Sequence, residues 1–202
     1  MTPIHLDEHL IVVDKPAGLL SVPGRFEPDC MSARVQARWP DALVVHRLDM
    51  ATSGLLLLAR GAAVQRRLSQ AFAERAVDKR YTAVVRGLLT DDRGTIDLPL
   101  AADWPHRPRQ QVDHRHGKPA LTHWRVVDRD PAFDRTRLEL QPVTGRSHQL
   151  RVHLAAIGHA IVGDPLYGDA AGAPRLLLHA CALAFRHPAD GRPLDLASAA
   201  PF

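Results

Sequence analysis

Asp49 is the residue of this chain whose neighbours best suit it to covalent chemistry. It stands in His46-Arg47-Leu48-Asp49-Met50-Ala51-Thr52-Ser53-Gly54, after a short β-type run and before a turn of small residues. An acid in that position can present its carboxylate to a large substrate. The same acid could instead make a turn hydrogen bond or an ion pair, as Asp commonly does, so the spacing leaves both uses open. His-Arg-Leu-Asp has a superficial likeness to the kinase catalytic loop. The spacing differs, and neither a Gly-rich loop nor Asp-Phe-Gly accompanies it, which excludes a kinase.

A second stretch, Gly145-Arg146-Ser147-His148-Gln149-Leu150-Arg151-Val152-His153, complements the first. Arg146 precedes a predicted helix start, where unpaired N–H groups and the helix dipole favour anions. A guanidinium there can keep a catalytic carboxylate ionised, because a neighbouring positive charge lowers its pKa. A purely structural ion pair is the competing use. His148 and His153 lie too far apart to share a helical face as metal-ligating pairs do, so no metal is expected.

The elements that must position these groups are short. His9 to Asp14 reads as a strand stopped by Lys15-Pro16-Ala17-Gly18. Asp29 to Trp39 has helical spacing, with Met31, Val35 and Trp39 on one face and Pro40 as the stop. Leu43 to Val45 and Leu55 to Ala59 are β-like and flank Asp49; Gly61 to Arg75 is an amphipathic helix. Lys79 to Arg86, Thr122 to Val127, Arg137 to Leu140, Leu176 to Phe185 and Leu194 to Leu196 read as further strands. Trp104 to Arg115 is basic and Pro-interrupted, an exposed loop or frayed hairpin, and Ser147 to Ile157 is a helix with Ser147 as its N-cap. Many strands and about three helices, not in alternation, predict an α+β fold around a largely antiparallel mixed sheet.

With 202 residues, 46% of them hydrophobic and 24% charged, the chain suits one compact domain with a sizeable core. No apolar run is long enough to span a membrane, and Met1 to Glu8 lacks the pattern of a signal peptide, so a cytoplasmic protein is expected. Cys30 and Cys181 have neither disulfide-framework nor zinc spacing. The net charge of +4 is compatible with a polyanionic partner without requiring one. Of the 26 basic residues 23 are arginine, the side chain that forks onto phosphates and stacks on rings, although genomic bias would give the same excess.

Taken in order, DKPAGLLSVPG (Asp14 to Gly24), HRLDMATSGLLLLA (His46 to Ala59), KRY (Lys79 to Tyr81), GRSHQLRVH (Gly145 to His153) and RLLLHA (Arg175 to Ala180) resemble the RluA family of pseudouridine synthases. SVPGR at Ser21, DWPHRPRQ at Asp103 and GKPA at Gly117 are similar to the small RluA-type members. Those act on a tRNA anticodon stem-loop and on a hairpin loop of large-subunit (23S) ribosomal RNA. The resemblance implies the pseudouridine synthase catalytic fold, with a central active-site cleft flanked by helices and loops. It implies a single catalytic domain over residues 1–202, without the appended S4 RNA-binding domain of other members. It further implies that Asp49 attacks the target nucleotide, that Tyr81 stacks on the base and joins the late proton transfer, and that Arg146 pairs with the aspartate. Leu150 (Ile in most of the family) and Leu178 would line the uracil pocket.

A target uridine must leave its stack to be reached. Arg47 is the candidate to fill the space, or else to clamp a backbone phosphate, with His46 beside it at the substrate. Trp104, Arg107, Arg109, Arg115 and Lys118 would line the RNA approach through positioning contacts. His148 and His153 then read as core or RNA-contacting residues. No cofactor is expected, since isomerisation needs no energy carrier or redox partner; the expected partner is RNA, not DNA or a membrane, and the protein a monomer. Three other readings compete. One is a synthase restricted to a single RNA, tRNA or rRNA. Another is an RNA-binding or chaperone module without catalysis, which would have lost Asp49, Tyr81 or Arg146. The third is a carboxylate-pair glycosidase, which fails because Asp164 in Gly163-Asp164-Pro165-Leu166-Tyr167 reads as structural.

Overall fold

The computed structural model describes residues 2–202. In chain order the elements are β1 (His5–Leu6), β2 (Leu10–Lys15), α1 (Met31–Gln36), β3 (Ala42–Val44), β4 (Ser53–Arg60), α2 (Ala62–Ala73), β5 (Asp78–Arg86), β6 (Arg93–Asp97), β7 (Leu100–Ala102), β8 (Gln110–Val112), β9 (Leu121–Asp130), β10 (Arg135–Pro142), α3 (Gln149–Ala156), β11 (Leu178–Arg186) and β12 (Pro193–Ala197). No helix among the described residues is long and apolar enough to cross a membrane. The chain divides into two compact units. One comprises the residues up to Lys79 with Ala180–Pro201, the other Arg80–His179 with Phe202.

In the first unit β2 pairs antiparallel with β1 on one side and β4 on the other, while β3 also lies against β4. Leu55 to Leu58 are all fully buried, so both faces of β4 are covered and its sequence is a continuous apolar run rather than an alternation. Leu55, Leu57 and Ala59 pack with Val64 and Leu68 of α2 and with Leu183 and Phe185 of β11. Gly54 opens β4 with a φ of +116°, and a Cβ there would collide with the backbone of Ala180. Only glycine allows both that conformation and that approach.

In the second unit β10 is the centre of an antiparallel ladder, with β5 on one side and β9 on the other. β6 continues beyond β9, and β7 with β8 forms a separate hairpin. Leu138 and Leu140 alternate inward along β10 and are fully buried. α3 seats Val152 against Leu100 and Ala120, with Val112 and Tyr167 packed alongside.

Several boundaries depart from the sequence reading. α1 is only Met31–Gln36: Cys30 caps it by accepting from the Ala33 N–H, and the Arg38 N–H bonds to the Val35 carbonyl in a tightened exit. Ser147 is not the N-cap of α3. His148 holds that place at φ +54° without a side-chain cap bond, and the Gln149 side chain takes up the Arg146 N–H instead. Of the two forms expected for Trp104 to Arg115 the hairpin is the one found: the segment holds the tip between β7 and β8, β8 itself and the turn that follows. β1, β6 and β7 escaped notice because they are short and alternate weakly.

Asp164 is structural, as its motif suggested. Fully buried, it takes a forked pair of bonds from Arg151 at 2.8 and 2.7 Å and accepts the N–H groups of Leu166 and Tyr167. Burial pushes its carboxyl up, but the Arg151 fork and the two N–H groups outweigh that and hold it below 3.8. A carboxyl lowered in the folded state contributes stability above its unfolded pKa and loses it as pH falls through the folded value. Asp164→Asn is therefore expected to lose about 3–5 kcal/mol at neutral pH and to flatten the acid limb below pH 3.8, as read by urea unfolding across pH.

Candidate active site

The site residues named from sequence fall in both units, and the structure positions each set by fixing its backbone. In the first unit His46, Arg47 and Asp49 share the loop between β3 and β4. The carbonyls of that loop are clasped one after another. Ser21 Oγ donates to the Leu48 carbonyl at 2.7 Å and accepts the Leu48 N–H at 3.0 Å. The Asp49 carbonyl accepts the Thr52 N–H, and the Met50 carbonyl accepts the Gly18 N–H. Lys15, fully buried, donates its ammonium to the carbonyls of Pro16, Leu19 and Met50 at 2.9, 2.7 and 3.1 Å. Leu48 is buried and Arg47 exposed, while Asp49 is half-buried between them. The main chain around the acid is held and its side chain keeps access to a substrate.

His46 serves this loop from beneath. Its Nε2 accepts the Leu57 N–H at 3.0 Å, which puts the ring proton on Nδ1, and the ring stacks on Phe72 with centroids 4.7 Å apart. Burial, with the Lys79 charge adding to it, lowers its pKa to about 4. The imidazole is thus a neutral brace between the loop and β4.

In the second unit Tyr81 lies half-buried on β5, opposite Leu140 of β10. Arg146 is exposed, and its Nε donates to the Pro119 carbonyl at 3.1 Å, next to Lys118. Gln149 fixes the turn that carries it: its Oε1 accepts from the Arg146 N–H and the Thr144 hydroxyl, and its Nε2 donates to the Leu121 carbonyl and Thr122 Oγ1. Leu150 and Leu178 are buried.

Arg107, Arg109 and Lys118 all lie exposed on the β7–β8 hairpin and the segment after it. Arg107 stacks over the Trp104 ring at 3.5 Å, and Arg109 lies 5.6 Å from the Tyr167 centroid. The Tyr167 hydroxyl joins hairpin to turn, accepting the Gln110 N–H and meeting His148 Nδ1, each at 2.7 Å. His153 is a core residue: Nε2 donates to the Leu98 carbonyl, Nδ1 accepts from Thr122, and burial lowers its pKa.

Sequence reasoning assigned no role to Lys15, Ser21, Gln149 or Tyr167. Lys15 left a signal, a lysine ending an apolar strand just before a Pro-Gly turn. The others act through backbone contacts to residues distant in sequence, which no local pattern displays.

The chain belongs to the RNA pseudouridylate synthase family, whose model matches residues 9–156, and it is an RNA pseudouridine synthase. It is 49% identical over 205 residues to the dual-specificity RNA pseudouridine synthase RluA of Escherichia coli strain K12, covering 98% of this chain and 93% of that protein. The RluA of Yersinia pestis is 48% identical over 207 residues, with both chains fully covered. Among solved structures, human RNA pseudouridylate synthase domain containing 1 superposes with a TM-score of 0.84 at 29% identity, covering 100% of this chain and 84% of that one. Human RNA pseudouridylate synthase domain containing 4 gives 0.80 at 25% identity, over 98% and 88% of the two chains.

Two outcomes follow. Lys15→Met removes the ammonium from the Pro16, Leu19 and Met50 carbonyls, of which Met50 keeps the Gly18 N–H, and loosens the Asp49 loop; turnover should fall roughly 100-fold, the scale of effect that misplacing a group near the chemistry has, while RNA affinity changes little in a filter-binding assay. The His46 pKa is lowered on folding, so the unfolded chain binds the extra proton and stability drops as pH falls from 6.5 towards 4. That slope, worth up to ~3 kcal/mol, should vanish in His46→Gln when unfolding is followed across pH.

Proposed function

We propose that this synthase isomerises uridine in a tRNA anticodon stem-loop and in a 23S rRNA hairpin loop, acting as a cytoplasmic monomer. The observation that carries the reading is the near-full-length match to enzymes whose name specifies dual specificity. In the reaction the bond between uracil N1 and ribose C1′ breaks, the base turns, and C5 bonds to C1′ while its hydrogen is lost and N1 regains a proton.

The roles follow the resemblance. The uridine is drawn out of its stack at a cost of a few kcal/mol, and the Arg47 guanidinium takes the vacated place. Asp49 attacks the nucleotide and frees the base. Tyr81 stacks on the detached uracil and assists the final proton transfer, Arg146 provides the positive charge that keeps a catalytic carboxylate ionised, and Leu150 and Leu178 give the base an apolar wall. His46 supports substrate binding by bracing the loop that bears Arg47. Arg107, Arg109 and Lys118 contact phosphates, which positions the RNA without reading its sequence. Support for a shared approach surface comes from the exposure of all three and from the Tyr167 bridge between hairpin and Arg146 turn.

The test uses an anticodon stem-loop and an rRNA hairpin, each carrying tritium at uridine C5. Wild type should release tritium to water from both, and Asp49→Ala from neither while still binding RNA. Release from one RNA alone would overturn dual specificity, and release by the variant would overturn the role of Asp49.

A further inference from the structure

Away from the groups used in catalysis, the first unit gathers imidazoles and carboxylates from both ends of the chain. Asp7 and His9 form the turn between β1 and β2; His187 follows β11. One ligand atom from each lies within 4.8 Å of the others. The His9 and His187 rings stand nearly perpendicular, 83° apart with centroids 5.4 Å apart. His5 Nε2 reaches the same Asp7 Oδ2 at 2.7 Å, and His187 Nε2 reaches it at 3.2 Å.

We propose that Asp7, His9 and His187, with His5 or water as a fourth donor, bind one divalent transition-metal ion of the zinc type. Two imidazoles or three and a single carboxylate are the donor set that such a borderline ion prefers, in a tetrahedral arrangement.

The donors are positioned in advance. Asp7 Oδ1 is occupied by the N–H groups of His9 and Leu10 at 2.7 and 2.9 Å, which turns Oδ2 to the other ligands. Arg60 holds the Asp7 carbonyl at 3.0 Å. The His187 backbone is tied on both sides, its N–H to the Arg192 carbonyl and its carbonyl to the Gly191 N–H. Its Nδ1 lies 3.1 Å from Asp190 Oδ1, the outer carboxylate that orients a metal-bound histidine. The Ala189 N–H competes for that nitrogen at 3.3 Å; metal binding settles the proton on Nδ1, facing Asp190. Arg192, 3.6 Å from Asp7 Oδ2 and 3.5 Å from Asp190, is the opposing charge, and its half-exposed side chain can withdraw into water. The ion would pin the β1–β2 turn to the segment after β11. His5, Asp7 and His9 alternate along one short segment, and the sequence does not show that His187 joins them.

The test uses untagged protein stripped with EDTA. Co2+ should bind at one equivalent with the visible absorption of a tetrahedral site, and Zn2+ should displace it. Zn2+ at a hundredfold excess over Kd should raise Tm by about 5–10 °C, from the linkage relation and the size scaling of Tm. His9→Gln, at a half-buried turn position, should bind at least tenfold more weakly; Arg192→Ser should bind more tightly. An unmoved Tm, or a His9→Gln protein that binds Zn2+ as well as wild type, overturns the site. Neither readout involves RNA, so failure here leaves the synthase assignment untouched.

Discussion

An ammonium group shut away from water has to find acceptors inside the protein, and Lys15 finds Pro16, Leu19 and Met50. Three N–H donors meet three carbonyls at hydrogen-bond distance, so peptide dipoles take over much of the solvation that water would give the charge. The order of the Asp49 loop depends on this contact, because the acceptors come from the loop after β2 and from the residue following Asp49. Ser21 repeats the device at Leu48, with one hydroxyl serving both backbone groups. A loop that would otherwise sample many conformations is held by these bonds, so the backbone around Asp49 is ordered before any substrate arrives. An arginine could not replace Lys15, since a planar fork cannot converge on carbonyls surrounding one point.

The second unit solves the same problem with uncharged groups. The amide of Gln149 gathers Arg146, Thr144, Leu121 and Thr122 around one side chain, and His153 extends the network from Thr122 to Leu98. The exposed Arg146 is therefore carried on a backbone fixed by buried polar groups, each with its partner. Buried networks of this sort tolerate no missing member. That gives Gln149 and His153 a structural reason to stand in the same motif as Arg146.

Much of this was legible in the sequence because it rests on local pattern. The apolar run of β4, the amphipathic α2 and the small-residue turn after Asp49 announced themselves, as did the motifs that carry the family resemblance. Ser147 misled because a serine before an apolar helix is ordinarily its cap, whereas here Gln149 takes the Arg146 N–H and His148 adopts a left-handed conformation at the helix start. Trp39 misled because helical periodicity cannot report that the chain tightens after Gln36. His46 is named at the substrate by its place in the motif, while its bond to Leu57, eleven residues on, is invisible until β4 is folded back beside it. What stayed hidden was long-range contact between a side chain and a backbone group, which leaves no periodic trace.

The division of the chain has a consequence for how the protein comes into being. The second unit is almost continuous, Arg80–His179, but the first draws on both Met1–Lys79 and Ala180–Pro201. The core around Leu55 and Leu57 includes Leu183, Phe185, Leu194 and Leu196, and Gly54 rests on the backbone of Ala180. A nascent chain leaving the ribosome N-terminus first can thus finish its second unit while the first is still open. The part of the β4 core that Leu183 and Phe185 complete must wait, apolar and open, until those residues have been made. During that interval β2 and β4 are the segments most in need of a chaperone.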